Sequence, residues 1–426
     1  MFTRFRSHTL VVVGLVGALM LFTAQVALAA PGDPDGTFGT GGEAEFDFGG
    51  DEAAEAVVQG PGGKLYLGGN IDQFFFSLRI TPGGDEDEGY GTGGWAGMIV
   101  GETAAAHDLA VGADGSAFVV GVRAVGGVSK GAVVKFDTDG QPDESFSGDG
   151  LALVTDGTKE ITLNAAVVQP DGKLVIAGQV LDGGLASHFL LARLRANGTL
   201  DPTFGDGGRA RVTFGPNANA PLSMLRQPDG KLLVAGETSQ IGVPGAYDSA
   251  FARFKPDGTL DRSFGVQGKS VLSLVEGGRN GVLGLALAPG GKPLACIQGR
   301  DFDGHGHVAL MRLMPNGKVD TTFGGGDGGT IVTSIGQGQC SDIAVQGDGK
   351  PVVAAGLTGV DRFSAVRFQA NGKVDRSFSV DGIAHAFTGA PATTPLAVIV
   401  QGNGRIVVAG FVDFGNKDVA VARFLP

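Results

Sequence analysis

The stretch that decides the fold reads Ala252-Arg253-Phe254-Lys255-Pro256-Asp257-Gly258-Thr259-Leu260-Asp261-Arg262-Ser263-Phe264-Gly265. Its Pro-Asp-Gly triplet places a residue that tolerates left-handed φ before a glycine, which is typical of a tight chain reversal. An Asp followed three residues later by an aromatic residue recurs seven times along the chain. The seven pairs are Asp35/Phe38, Asp87/Tyr90, Asp143/Phe146, Asp201/Phe204, Asp261/Phe264, Asp320/Phe323 and Asp375/Phe378. Recurrence at this interval indicates a repeat architecture.

A second signature, a Gly-containing turn followed by an apolar run, is out of phase with the first and also occurs seven times. Its turns are Gly62-Gly63, Asp114-Gly115, Asp171-Gly172, Asp229-Gly230, Gly290-Gly291, Asp348-Gly349 and Asn403-Gly404. Successive turns lie 52 to 61 residues apart. Each interval therefore corresponds to one structural unit that packs against its neighbours.

A cation lies eight residues before the Asp of the first signature in six repeats, at Arg79, Lys135, Arg193, Arg253, Arg312 and Arg367. The seventh cation, Arg423, has no Asp after it, whereas Asp35 has no cation before it. A linear solenoid needs capping repeats rather than complementary halves at its ends. We therefore expect an all-β, seven-bladed β-propeller, closed by an N-terminal strand that joins the last blade.

The apolar residues of one unit fall into four short runs bounded by Gly, Pro, Asn and Asp. The runs are 209–214, 222–227, 231–237 and 249–255. Short runs rich in β-branched and aromatic residues indicate strands, and no segment shows a sustained helical period. The unit is therefore predicted to be a four-stranded antiparallel blade.

Three motifs of one repeat together resemble the bacterial delta-60 repeat family. They are Gln169-Pro170-Asp171-Gly172-Lys173, then Leu191-Ala192-Arg193-Leu194, then Asn197-Gly198-Thr199-Leu200-Asp201-Pro202-Thr203-Phe204-Gly205. The resemblance covers nearly all of the chain after its N-terminal segment and implies a β-propeller of unknown function. The first two units depart from the family pattern at 84–90 and 117–120.

The N-terminus carries the features of a secretory signal peptide. Arg4 and Arg6 precede an apolar run at 10–22, and Ala27 and Ala29 supply small residues at a cleavage site. The run is too short to span a bilayer comfortably, and no second long apolar stretch follows. We expect a signal peptide at 1–29, a single propeller domain at 30–426, no membrane span after cleavage, and a secreted, periplasmic or cell-surface location.

The charge and the cysteines narrow the range of partners. Loss of Arg4 and Arg6 takes the formal charge from -12 to -14, which argues against binding to nucleic acid. The expected partner is an extracellular or envelope protein, bound by a monomer of this chain. Cys296 and Cys340 occur in neighbouring repeats, and the sequence leaves open whether they are buried thiols or a disulfide.

The repeated charged and aromatic residues are interpreted as architecture, because an active site needs only one copy. The candidate ion pairs are Arg193/Asp201, Arg253/Asp261, Arg312/Asp320, Arg367/Asp375 and Arg423/Asp35, each closing a connection between blades. The alternative is that each Asp caps its turn by accepting backbone N–H bonds. The candidate aromatic wedges between blades are Phe38, Phe146, Phe204, Phe264, Phe323 and Phe378.

Candidate metal ligands are few. Asp301, Asp303, His305 and His307 have a spacing that could hold a metal, but one Gly-rich loop is more typical of a solvated turn. Residues 137–143 resemble part of a calcium loop but coincide with the ordinary turn of the repeat. We therefore expect no catalytic residue and no cofactor, with Ca²⁺ as the one ion considered.

Two further surface features are an acidic run at 85–88, interpreted as a solvated rim, and Phe74-Phe75-Phe76, a candidate hydrophobic contact. The connections at 49–55, 156–163, 238–247 and 300–307 vary between repeats and are predicted to share one face. Variable loops on a rigid frame favour a non-enzymatic binding scaffold. The alternatives are a metal-dependent hydrolase or lactonase and a glycan-binding module.

Overall fold

The computed structural model describes residues 29–426 except 185, 241, 275–276, 301–305, 326–329 and 361. Positions 1–28 of the expected signal peptide lie outside the described residues. Within the described ranges, no helix has the length and apolarity needed to cross a membrane.

The described ranges contain 27 β-strands and two 3-10 helices, at Pro61–Gly63 and Phe323–Gly325, and no α-helix. The strands of the first half are β1 (Glu43–Phe46), β2 (Ala53–Gln59), β3 (Leu65–Ile71), β4 (Phe74–Ile80), β5 (Trp95–Ile99), β6 (Thr103–Val111), β7 (Ala117–Val125), β8 (Val128–Phe136), β9 (Leu151–Val154), β10 (Ile161–Val168), β11 (Leu174–Gly183), β12 (Ala186–Leu194) and β13 (Arg209–Val212). Those of the second half are β14 (Asn219–Arg226), β15 (Leu232–Ser239), β16 (Tyr247–Phe254), β17 (Lys269–Leu272), β18 (Arg279–Ala288), β19 (Lys292–Arg300), β20 (Gly306–Arg312), β21 (Thr330–Val345), β22 (Pro351–Leu357), β23 (Phe363–Arg367), β24 (Ile383–Ala386), β25 (Ala392–Val400), β26 (Ile406–Asp413) and β27 (Lys417–Phe424).

The strands form several four-stranded antiparallel sheets. Four are separate, with the orders β2-β3-β4-β5, β6-β7-β8-β9, β10-β11-β12-β13 and β1-β27-β26-β25. The remaining 11 strands are connected in one sheet, in which ten strands follow the path β14-β15-β16-β18-β19-β20-β21-β22-β23-β24 and β17 pairs with β16 beside that path. In that path β16 and β18 share one parallel bridge, at Tyr247 and Arg279. The long strand β21 pairs with β20 through its first half and with β22 through its second half.

The prediction of which four apolar runs form one blade was wrong. The run at 209–214 contains β13, which pairs with β12 of the preceding sheet and not with β14. The period of a repeat specifies its length, but the alternation of apolar residues does not identify the partner of a strand. As a result, the Asp–aromatic motif connects the third and fourth strands within one sheet, not two blades as expected.

The first and last described strands share a sheet. β1 pairs antiparallel with β27, in a register running from Glu43 opposite Ala422 to Phe46 opposite Val419. The strands β2, β6, β10, β14, β18, β21 and β25, here called the inner strands, pack against one another in succession. β2 also packs against β25. The order of the inner strands along the chain is therefore also their order in space.

The core lies between adjacent sheets. Phe38, Phe146, Phe204, Phe264, Phe323 and Phe378 are all fully buried. Phe204, for example, packs with residues of both β11 and β15. Burying one such ring stabilises the fold by about 2 to 3 kcal/mol. Cys296 of β19 and Cys340 of β21 form a disulfide with Cα atoms 6.1 Å apart, which answers the question left open by the sequence.

Candidate functional site

The inner strands surround a cavity of about 740 Å³, here called the inner-strand cavity. All seven inner strands contribute residues to its wall. A cavity of this size is within the range that holds small ligands. Because the wall is built from paired strands rather than loops, its side chains are held in place by the sheets themselves.

Each inner strand carries a β-bulge at the same position of its repeat. A bulge leaves one residue outside the regular pairing and redirects its side chain. The residues skipped by the ladder are Glu55, His107, Asn164, Leu222, Leu283, Ser341 and Leu396. All seven line the inner-strand cavity. The fold therefore presents one variable side chain per repeat to a shared space.

These seven bulge residues divide the wall by chemistry. Glu55, His107 and Asn164 come from three consecutive inner strands and form a polar arc. Leu222 and Leu283 come from the next two strands, and Leu396 comes from the last, but Ser341 and the adjacent Asp342 of β21 interrupt this apolar part of the wall. A cavity with one polar arc and a mainly apolar remainder suits a ligand that has both a polar and an apolar part.

Polar residues of the cavity also connect adjacent inner strands. His107 Nδ1 lies 2.8 Å from the carbonyl oxygen of Leu163. A carbonyl only accepts, so Nδ1 carries the proton and Nε2 is the acceptor nitrogen of the neutral ring. Asn164 Nδ2 donates to the carbonyl of Pro221 at 2.7 Å. Both contacts fix a bulged side chain against the following repeat.

Asp108 and Asp342 have a similar bridging role. Asp108 Oδ2 accepts a hydrogen bond from the backbone N–H of Ala166 at 2.7 Å. Asp342 Oδ2 accepts one from the N–H of Val398 at 3.0 Å. Each carboxyl therefore holds the next inner strand while lining the cavity.

The cavity is acidic and contains no compensating cation among its described lining residues. Burial raises the pKa of Glu55 to about 7, although the charge of Lys417 acts in the opposite direction. Burial also raises the pKa of Asp108 to about 7 and that of Asp342 to about 6, against the effect of their backbone hydrogen bonds. The pKa of His107 is lowered by burial, which keeps its ring neutral.

We expect the free energy of unfolding to fall between pH 5 and pH 8. A carboxyl with a raised pKa in the folded chain stabilises the fold while it is protonated. That stabilisation is complete below the unfolded pKa of about 4 and is lost as the pH rises through the folded pKa. Urea denaturation at pH 5 and pH 8 measures the fall. Glu55→Gln should reduce it and Glu144→Gln, at an exposed carboxyl, should not; equal falls in both variants would contradict the assignment.

The structure brings the members of each candidate ion pair together. The Arg Nε to Asp Oδ2 distance is 2.8 Å for Arg253/Asp261, Arg312/Asp320 and Arg423/Asp35, and 2.9 Å for Arg193/Asp201 and Arg367/Asp375. The Asp also accepts local hydrogen bonds, as from the Thr203 N–H and hydroxyl to Asp201 Oδ1. The geometry thus combines the ion pair and the turn cap, which sequence reasoning had treated as alternatives.

The paired arginine also contacts the buried ring and the neighbouring repeat. Arg193 Cζ lies 4.9 Å from the centre of the Phe204 ring. Arg193 Nη1 donates to the Pro256 carbonyl of the next repeat at 2.9 Å. In addition, Lys173 directly follows the Asp171-Gly172 turn of the second signature, and its Nζ lies 3.2 Å from Asp201 Oδ2. The two sequence signatures therefore meet at one carboxylate, a convergence that the sequence did not predict.

The metal candidates do not form a described site. Asp301, Asp303 and His305 lie outside the described residues, and His307 lies on β20 opposite Gly299. In the calcium-like segment at 137–143, Asp137 Oδ1 accepts the N–H groups of Asp139 and Gln141.

Of the two surface candidates, the Phe run is more buried than expected, whereas Asp85, Glu86 and Glu88 of the acidic run are exposed. Phe75 and Phe76 are fully buried, and Phe74 packs against Trp95. In the acidic run at 85–88, Asp87 pairs with Arg79.

Sequence reasoning missed the bulge residues because they do not repeat. A signal was nevertheless present. Each bulge residue stands seven positions before the first residue of a Gly-containing turn. Comparison of that one position through all seven repeats would have shown Glu, His and Asn followed mainly by Leu and Ser.

Five segments match the family model described as "Domain of unknown function (DUF5122) beta-propeller": 112–146, 169–204, 227–264, 299–323 and 346–378. These five segments are therefore similar to the repeats of a β-propeller family of unknown function. No curated protein matches the chain.

Two solved structures share the fold. One is a catalytically inactive virginiamycin B lyase from Staphylococcus aureus with quinupristin, at 9% identity and a TM-score of 0.55, covering 89% of this chain and 98% of that one. The other is a streptogramin B lyase, at 10% identity and a TM-score of 0.54, covering 89% and 97%. At these identities the likeness shows the fold alone.

Proposed function

We propose that this chain is a secreted or envelope binding protein, built as a closed seven-bladed propeller, that takes a small amphiphilic cation into the inner-strand cavity. The observation that carries the proposal is the row of bulge residues, in which a half-buried acidic and polar arc faces a mainly apolar one. The expected signal peptide supports an extracytoplasmic location. This proposal moves the ligand from the variable loops, where sequence reasoning placed it, to the cavity.

Several observations support seven blades in a closed ring. Seven inner strands each carry one bulge, and seven Asp–aromatic motifs each accompany one group of strands. The 11-stranded sheet divides at the single β16–β18 bridge and within β21, which gives three groups of four when each half of β21 is counted as a strand. The packing of β2 on β25 and the pairing of β1 with β27 support closure.

The choice of a cation follows from the Glu55 carboxyl. Within the described part of the chain, Glu55 forms no hydrogen bond or ion pair, whereas Asp108 and Asp342 accept backbone N–H groups. A bound ammonium would supply the missing partner and favour the ionised carboxylate. The Leu side chains of the opposite arc would cover an apolar body of the same ligand.

Benzylamine and benzyl alcohol form a suitable pair of probes, because they share an aromatic ring and differ in the ammonium group. At pH 8 we expect benzylamine to raise the melting temperature of the wild-type chain more than benzyl alcohol does. Glu55→Gln should remove the difference, and Glu144→Gln should retain it. A difference that persists in Glu55→Gln would refute the cavity as the binding site.

Acid–base catalysis in the same cavity is a second candidate. It is favoured by a carboxyl with a pKa of about 7 and a neutral imidazole lining one cavity, as general acid–base chemistry requires. Hydrolysis of a lactone with a pH–rate limb near 7 that Glu55→Gln removes would establish it. The metal-dependent form gains no support from the described cavity, since its side chains do not form a metal-binding group there.

A further inference from the structure

Three carboxylates converge where the first strand of the chain meets the last. Asp47 follows β1, Glu52 lies in the connection from β1 to β2, and Asp418 lies on β27. One carboxylate oxygen from each residue lies within 4.8 Å of the others. Within the described residues, this is the one group of three or more His, Cys, Asp or Glu side chains with that spacing.

Glu52 shows that the cluster lacks a partner. Its side chain is fully buried, and Oε1 accepts the Gly50 N–H at 2.8 Å. Oε2 is buried and has no hydrogen-bond partner. An unpartnered buried carboxylate oxygen is costly unless a cation or a proton balances it.

Neighbouring side chains of the described residues do not provide a positive charge that pairs with these carboxylates. Asp418 is 5% exposed, and its Oδ1 accepts only the neutral amide of Asn416, at 2.8 Å. Asp47 Oδ1 accepts the N–H of Gly49. Among the described residues, no Lys, Arg or His forms an ion pair with any of the three carboxylates. The Lys417 ammonium instead lies 4.8 Å from the centre of the Phe411 ring.

The pKa values of Glu52 and Asp418 are raised, as expected for buried carboxylates that lie close to one another. Burial first, and then the charges of Asp418 and Asp47, raise the pKa of Glu52. Burial and the charges of Asp47 and Asp413 raise the pKa of Asp418. The pKa values of the repeated Asp201, Asp261 and Asp375 are instead lowered, because hydrogen bonds from the following Thr or Ser and the charge of the paired Arg together outweigh burial.

We propose that Asp47, Glu52 and Asp418 form a Ca²⁺ site that fastens the N-terminal segment to β27. Oxygen-only ligands select a hard cation, and an irregular connection suits the variable geometry of Ca²⁺ better than the strict octahedron of Mg²⁺. Backbone carbonyls of the β1–β2 connection and water complete the shell. The expected Kd is about 10⁻⁴ to 10⁻³ M, as in extracellular calcium modules.

The site is tested by calorimetric titration of the whole chain with CaCl₂. We expect one Ca²⁺ to bind to the wild-type chain and to Glu144→Gln, and none to Glu52→Gln or Asp418→Asn. Ca²⁺ at about 100 times its Kd should raise the melting temperature by about 3 °C relative to EGTA. NaCl of equal ionic strength should not reproduce that rise.

Glu52→Gln provides a readout that misfolding cannot imitate. Without Ca²⁺ it should melt at a higher temperature than the wild type, because it removes one of three repelling charges. With Ca²⁺ it should show no further rise. An equal Ca²⁺ response in wild type and Glu52→Gln, or an equal effect of NaCl, would overturn the proposal.

Discussion

Truncation after Gly410 is expected to abolish cooperative folding of the whole chain. It removes β27, which lies between β1 and β26, together with the last three residues of β26, so β1 loses the one strand it pairs with among the described residues. Val419, Val421 and Phe424 of β27 are fully buried. Exposing the surface they cover costs about 5 to 9 kcal/mol, which is comparable to the total stability of a typical protein.

The expected result is a chain without a sigmoidal urea transition in circular dichroism. A truncation after Phe424 serves as the matched control, because it leaves all of β27 in place and should retain the transition. A cooperative transition of wild-type amplitude and midpoint in the Gly410 truncation would show that β27 is not needed for cooperative folding of the other strands.

Asp261→Ala is expected to lower the free energy of unfolding by about 3 to 5 kcal/mol, because it leaves a buried arginine without its counter-charge. Arg253 and Asp261 are 6% and 5% exposed, and their Nε and Oδ2 atoms are 2.8 Å apart. Asp257→Ala is the control. Asp257 is exposed and accepts similar local hydrogen bonds from Thr259, so its loss should cost about 1 kcal/mol.

The loss in Asp261→Ala should depend on pH. Burial raises the pKa of Asp261, but hydrogen bonds from Ser263 and the charges of Arg253 and Lys231 outweigh burial and lower it to about 2. The stabilisation is therefore present above the unfolded pKa of about 4 and is lost as the pH falls towards 2. Urea titrations at pH 6 and pH 2.5 should show a smaller difference from wild type at the lower pH. A constant difference would mean that the turn, and not the charge, carries the effect.

Features that recur at a constant spacing in the repeats could be predicted from the sequence, and features without such a spacing could not. A cation eight residues before an Asp, as in Arg253 and Asp261, recurs in six repeats, so their partnership could be recognised. The hydrogen bond from Lys292 to Asp320 could not be recognised, because Lys292 follows the Gly290-Gly291 turn of the second signature, 28 residues before Asp320. The pairing of β13 was also misjudged, since a period contains no information about where a sheet begins.

The candidate site was the hardest feature to predict, because its residues do not repeat. Repetition identifies residues that build the frame, whereas Glu55 and His107 differ from their equivalents in the other repeats. The disulfide between Cys296 and Cys340 could not be predicted either, because a sequence separation of 44 residues does not specify the distance between two Cα atoms.

The bulge in each inner strand has a consequence for the evolution of such proteins. The bulged residue is skipped by the strand ladder, so its replacement does not remove a pairing position of the sheet. Seven positions can therefore diverge separately while the turns, ion pairs and aromatic residues stay constant. Related chains with the same frame are expected to differ mainly at these seven positions, and the ligands they select should change by single substitutions rather than by loop insertions.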